Sequence, residues 1–129
     1  MIALDTTAII DIFKGDEELH SLLKKVNEPL VSTLINYQEI VFGIDETDLR
    51  YLGEQEYYDR LFDNLLIFSL SSRSAKKASE IFWLNKKKGK TIGRFDCMIL
   101  GILLTNGVSK IITRNKHLSD IPEVQVLEY

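Results

Sequence analysis

Short apolar runs that stop at a polar residue alternate, along the whole chain, with longer segments whose apolar residues return at helical spacing. No other feature constrains the fold as much. Ile2-Ala3-Leu4 is the first run and stops at Asp5. Leu30-Val31-Ser32-Thr33 is the second, Leu65-Leu66-Ile67-Phe68 the third and Lys110-Ile111-Ile112-Thr113 the fourth, and residues 123–127 give a fifth. Runs of this length suit buried strands. Strands that alternate with helices point to an α/β fold, with a mostly parallel central sheet of about five strands and helices on both faces.

The helices are legible from their ends. Thr6 or Thr7 can cap a helix bearing Ile9, Ile10, Ile12 and Phe13 and closed by Gly15. Asp16, Glu17 and Glu18 open a second helix that ends in Lys24 and Lys25, each end matching the helix dipole. Residues 34–44 carry the helical period again. Residues 47–64 read as one amphipathic helix, which Gly53 can interrupt. Ser71 and Ser72 can cap a helix through Ala75, Ala78, Ile81 and Phe82 into a lysine cluster and Gly89. Residues 95–105 are apolar almost all round, which predicts a buried helix stopped by Asn106-Gly107. No repeat or linker divides residues 1–129, so one domain is expected.

One cysteine, Cys97, rules out an internal disulfide framework, and within the apolar helix it reads as a small core residue. Neither His20 nor His117 lies near Asp5 in sequence, so both read as surface residues. Trp83 reads as a core or dimer contact. No apolar run approaches the roughly 20 residues of a membrane span, and the first residues lack a secretory pattern. A cytoplasmic protein is expected.

Charge is unevenly placed. Residues 1–72 hold five Lys or Arg against fourteen Asp or Glu, whereas residues 73–94 hold eight against Glu80 alone. A basic stripe on an acidic body suits a polyanion, although a solvated lysine-rich helix end would look the same.

In open parallel sheets, sites lie beyond the carboxyl ends of the strands. Asp5 follows the first strand, where an aspartate can also be a helix cap. Glu39 lies on the helix after the second strand, one turn from Ile35 and near Phe42, where desolvation calls for a partner or a cation. Asp96 opens the apolar helix, in line with Ile99, Leu100 and Leu103, where the dipole also favours an acid. Thr113-Arg114-Asn115 follows the fourth strand and offers a hydroxyl, a cation and an amide. The topology brings Asp5, Glu39 and Asp96 to one edge. Carboxylates so gathered repel one another and call for a hard cation, Mg²⁺ or Mn²⁺, able to lower the pKa of a bound water and neutralise a phosphate. Arg94, two residues before Asp96, ends the basic segment that would hold that phosphate.

Four segments, "ALDTTAIIDIFKG", "STLINYQEIVFGI", "TIGRFDCMILGILLTNG" and "IITRNKHLSDIP", occur in this order. Together they resemble the PIN domain, and most closely its VapC-type toxin ribonucleases, over essentially the whole chain. The resemblance implies a Mg²⁺- or Mn²⁺-dependent endoribonuclease with Asp5, Glu39 and Asp96 as its acids and Thr6 as the hydroxyl after the first. Many PIN domains have a fourth aspartate where this chain has Asn115, so one firmly held ion, on Asp5 and Asp96, is expected; Asp120 reads as part of the turn before Pro122. The resemblance also implies an RNA substrate, a homodimer and an antitoxin that blocks the site. Lys87, Lys88, Lys90, Arg94 and Arg114 are the expected RNA contacts.

Two other classes compete. A receiver-like aspartate phosphotransfer domain wants paired acids after the first strand and an aspartate after the third, but Thr6-Thr7 and Ser69-Leu70-Ser71 stand there. A non-catalytic RNA-binding protein would not need all three acids.

Overall fold

A computed structural model describes residues 1–129. Its strands are β1 (Ile2–Leu4), β2 (Leu30–Thr33), β3 (Leu66–Phe68), β4 (Lys110–Ile112) and β5 (Gln125–Leu127). Its α-helices are α1 (Thr6–Lys14), α2 (Glu17–Lys25), α3 (Leu34–Phe42), α4 (Leu52–Asp63), α5 (Ser72–Lys87) and α6 (Arg94–Thr105). Every expected strand is present, with β3, β4 and β5 one or two residues shorter than the apolar runs. The sheet is wholly parallel, in the order β3-β2-β1-β4-β5.

The pleat divides the apolar residues between two cores. Ala3, Val31 and Ile111 face one way, against Ala78 and Ile81 of α5 and Ile99, Leu100 and Leu103 of α6. Ile2, Leu4 and Ile112 face the other way, against Ile9 of α1, Leu19 of α2, Ile40 of α3 and Tyr58 and Phe62 of α4. Successive side chains of a strand point to opposite faces, so a short run such as Ile2-Ala3-Leu4 can serve both cores. On the first face α5 and α6 approach closely at Gly101. A Cβ built there would lie 2.5 Å from the carbonyl oxygen of Ser74 and 2.9 Å from the amide nitrogen of Ala78.

Two expectations about helices need correction. Residues 47–64 do not form one helix interrupted at Gly53. A 3₁₀ turn (Leu49–Tyr51) leads into α4, and Gly53 lies inside its first turn. Asp48 explains the later start, because its side chain accepts the Arg50 backbone N–H and closes the tight turn first. The threonines after β1 do not cap α1 either. Asp5 occupies the cap position, with no side-chain capping bond. Gly15 does close α1, in the left-handed conformation at φ 73°.

Candidate active site

The chain leaves β1 toward β2 and β3, then returns to place β4 on the other side of β1 and β5 beyond it. At such a reversal the connections diverge and a crevice opens beyond the carboxyl ends of the two central strands. Leu4 pairs with Ile112, so the next residues, Asp5 and Thr113, emerge side by side.

Asp5 is only 4% exposed. Its Oδ1 accepts a hydrogen bond from Asn36 Nδ2 at 3.0 Å, and its Oδ2 accepts one from Thr113 Oγ1 at 2.7 Å. Asn36 is fixed in turn by a reciprocal capping box at the start of α3, in which its Oδ1 accepts the Thr33 backbone N–H and its own backbone N–H donates to Thr33 Oγ1; that hydroxyl also donates to Asn36 Oδ1. Its Nδ2 also donates to Thr6 Oγ1 at 3.1 Å, and Thr6 donates onward to Glu39 Oε1 at 2.7 Å. Asn36 and Glu39 are three residues apart and share a face of α3. A continuous chain of bonds therefore runs from Thr33 of β2 through Asn36 and Thr6 to Glu39, with Asp5 held on a branch from Asn36. Asp5 Oδ1 and Oδ2 each have a fixed donor, so its carboxylate is held by side chains rather than employed as a helix cap.

Asp96 is held far less. It lies in the first turn of α6, and its one side-chain partner is Asn115 Nδ2, 3.3 Å from Oδ2. Burial, and then the charges of Asp5 and Glu39, push its carboxyl up to about 6. Glu39 is raised too, by burial and by Asp5, against the lowering bond from Thr6. The three acids thus share one field at one edge of the sheet.

No group of three His, Cys, Asp or Glu side chains is already close enough to enclose a metal ion. The donors are nevertheless all oxygen, and two of the three acids are raised partly by the charge of their neighbours, a pressure that a cation relieves. Mg²⁺ keeps much of its water and is held through one or two carboxylates, so an all-oxygen set of two or three acids suits it. A concavity of about 550 Å³ between α1 and α2, around Ile12, Asp16 and Leu19, lies apart from Asp5, Glu39 and Asp96.

The remaining predicted residues divide. Asn115 reaches the site through its amide nitrogen, while its Oδ1 accepts the His117 backbone N–H and caps a 3₁₀ turn (Lys116–Asp120). Arg94, exposed at the start of α6, places its guanidinium 5.9 Å from the Phe82 ring. Lys87 and Lys88 are exposed; Lys90 is 3.7 Å from Asp120, which partly neutralises it. Arg114 departs from the expected phosphate-holding position. Its Nε lies 2.6 Å from Asp11 and its terminal nitrogen 2.8 Å from Asp16, and its guanidinium covers the Tyr129 ring. Those two carboxylates hold it to α1 and the α1–α2 turn, so its contribution is to pin the segment between Thr113 and Asn115. Trp83 is not a core residue: it stands half exposed on α5, with Lys86 Nζ 5.0 Å from its ring. His20 and His117 are exposed, and Cys97 is buried. Asn36 is the polar residue that sequence reasoning passed over. Its signal was the Thr33–Asn36 cap spacing, three residues before Glu39.

Comparison with known proteins agrees with this architecture. A family model described as the PIN domain matches residues 2–124. Curated protein sequences give no match. Among solved structures, VapBC2 from Rickettsia felis, bound to a DNA fragment from its promoter, superposes with a TM-score of 0.85 at 21% identity, covering 100% of this chain and 99% of that one. VapBC from Salmonella typhimurium, bound to DNA, gives 0.83 at 19% identity over 98% and 96% of the two chains. VapBC-1 from nontypeable Haemophilus influenzae gives 0.80 at 24% identity over 99% and 98%.

Proposed function

The chain belongs to the PIN domain family, and from that membership we propose that it is a VapC-type toxin, a metal-dependent endoribonuclease that hydrolyses RNA phosphodiesters at the Asp5–Glu39–Asp96 edge. The observation that carries the reading is the convergence of those three acids at the reversal point of the sheet, with Asp96 raised by burial and by the other two. PIN nucleases generally use a divalent cation; here Mg²⁺ or Mn²⁺ is the proposed ion. Bound there, it would neutralise charge on the phosphodiester and make water a better nucleophile at neutral pH.

The side chains account for the rest. Asp5, immobilised by Asn36 and Thr113, would hold the ion together with Asp96. Glu39, oriented by Thr6, accepts the proton of the attacking water. Water adds to phosphorus, the bond to the 3′ oxygen breaks, and that oxygen takes up a proton. The products carry 5′-phosphate and 3′-hydroxyl ends. Lys87, Lys88 and Arg94 draw the polyanion toward an edge that its own acids would otherwise repel. Lys90 contributes less because of Asp120.

Several similar solved structures are toxin–antitoxin complexes, one of them from Klebsiella pneumoniae. By that analogy an antitoxin protein restrains this chain; that it acts in the cytoplasm as a homodimer is the reading carried over from the sequence. Incubating purified protein with single-stranded RNA, with and without Mg²⁺ or Mn²⁺, tests the reading. Cleavage that needs the ion and leaves 5′-phosphates supports it. Cleavage in excess chelator, or 2′,3′-cyclic phosphate ends, refutes the mechanism. RNA binding without cleavage would assign the chain to the non-catalytic class.

A further inference from the structure

Two of the exposed aromatic rings sit beside the acids. Phe42 lies one helical turn beyond Glu39 on α3, and Phe95 directly precedes Asp96 on α6. Their rings are near-parallel, at 18°, with centroids 6.4 Å apart, so they bridge the two helices that deliver two of the three acids. Phe42 is 70% exposed and Phe95 45%. A centroid separation of 6.4 Å lies at the wide end of the range of about 4.5–7 Å for aromatic pairs, so the rings are loosely engaged and much of their surface remains in water.

We propose that Phe42 and Phe95 form a stacking platform for an unpaired nucleobase of single-stranded RNA, next to the nucleotide whose phosphate is attacked. The inference rests on the ribonuclease reading and adds a base-binding subsite to it. Charge favours this occupant. Glu39 lies three residues before Phe42 and Asp96 directly follows Phe95, so carboxylates are close to both rings along their helices, a setting in which an extended apolar protein surface would bury unpaired charge. A nucleobase offers a flat π face and brings its own phosphates, for which the basic segment that ends at Arg94 supplies positive charge. Aromatic stacking accepts any base, so the platform gives affinity and register with little sequence preference. The other occupant, a second copy of this chain, is an outcome of the test.

The full-length protein is titrated into labelled single-stranded RNA in chelator, so that binding is read without cleavage, and cleavage with Mg²⁺ is measured alongside. Phe42→Ala is expected to weaken binding about five- to a hundredfold with an unchanged salt slope, because every phosphate keeps its cation. Phe42→Tyr keeps the π face and is expected to restore binding, and Phe95→Ala should reproduce the weakening. The penalty should vanish on RNA made abasic at the stacked position. Equal binding by the parent and both alanine variants overturns the platform while Mg²⁺-dependent cleavage leaves the nuclease reading standing. So does a loss of binding that tracks conversion of dimer to monomer in sedimentation, which would assign the face to a second copy. A parent that neither binds nor cleaves RNA removes both.

Discussion

Asp5 and Asp96 are both placed at the crevice, but the molecule treats them differently. Asp5 is buried at a junction where α3 and the segment after β4 each supply a fixed donor. Asp96 sits on a helix start with one long amide contact and two negative neighbours, and its carboxyl is pushed up to about 6. The first is part of the architecture; the second carries the unrelieved charge. In the proposed cation site this division would preserve the shape of the empty site and concentrate affinity in the less supported acid.

Activity provides the largest expected effect and the least discrimination. Asp5→Asn and Asp96→Asn should each reduce cleavage at least about a hundredfold, since even residues behind metal ligands change activity about 10–100-fold. Full activity in either variant would remove that acid from the site. Stability separates the two. Asp5→Ala strands the buried Asn36 and Thr113 donors and should cost about 2–4 kcal/mol, whereas Asp96→Asn should leave the metal-free protein as stable as the parent or more so at neutral pH. Equal destabilisation in chemical denaturation would break the comparison.

Asn115→Asp adds a fourth carboxylate beside Asp96. The metal-free protein should lose stability, and its melting temperature should rise further on adding Mg²⁺ than the parent's does; an unchanged response would place Asn115 outside the ion's reach. pH gives a smaller signal. Asp96 has a raised folded pKa, so its contribution is fully present below the unfolded value, near pH 4, and is lost as pH rises through about 6. Glu39, also raised, acts in the same direction. In chelator, the parent should lose about 1 kcal/mol relative to Asp96→Asn across that window, allowing for solvent screening. Parallel pH profiles would show that Asp96 is not strained. The smallest effect concerns the rim. Charge reversal of Lys87 and Lys88 should lower the salt slope of RNA binding by about 0.7 for each phosphate left without its cation, with both acids unaffected.

How much of this was legible in the sequence depends on the range of the interaction. Strands showed themselves because Ile2-Ala3-Leu4 and Ile111-Ile112 serve two cores at once and must be continuously apolar. Asp5 was legible as a candidate because it ends a parallel strand, and Glu39 and Asp96 because each is an acid set among the apolar residues of a helix. Asn36 did not, because its value lies in bonding Asp5 across 31 positions, while locally it looks like one half of a helix cap. Arg114 misled for the converse reason. Its neighbours in sequence are site residues, but its charge is matched by Asp11 and Asp16, one turn and more beyond the crevice. The late start of α4 was hidden because Asp48 shapes the chain through its own backbone two residues on, and the helical period does not register that.

The two walls of the crevice are closed over very different lengths of chain. Asp5 is bonded by Asn36, 31 positions later, and by Thr113, 108 positions later. On the logarithmic law for loop closure the longer connection costs about 1 kcal/mol more in chain entropy than the shorter one. The wall that follows β4 is therefore the more expensive of the two to assemble, and local loosening of the fold is expected to open the crevice on that side first.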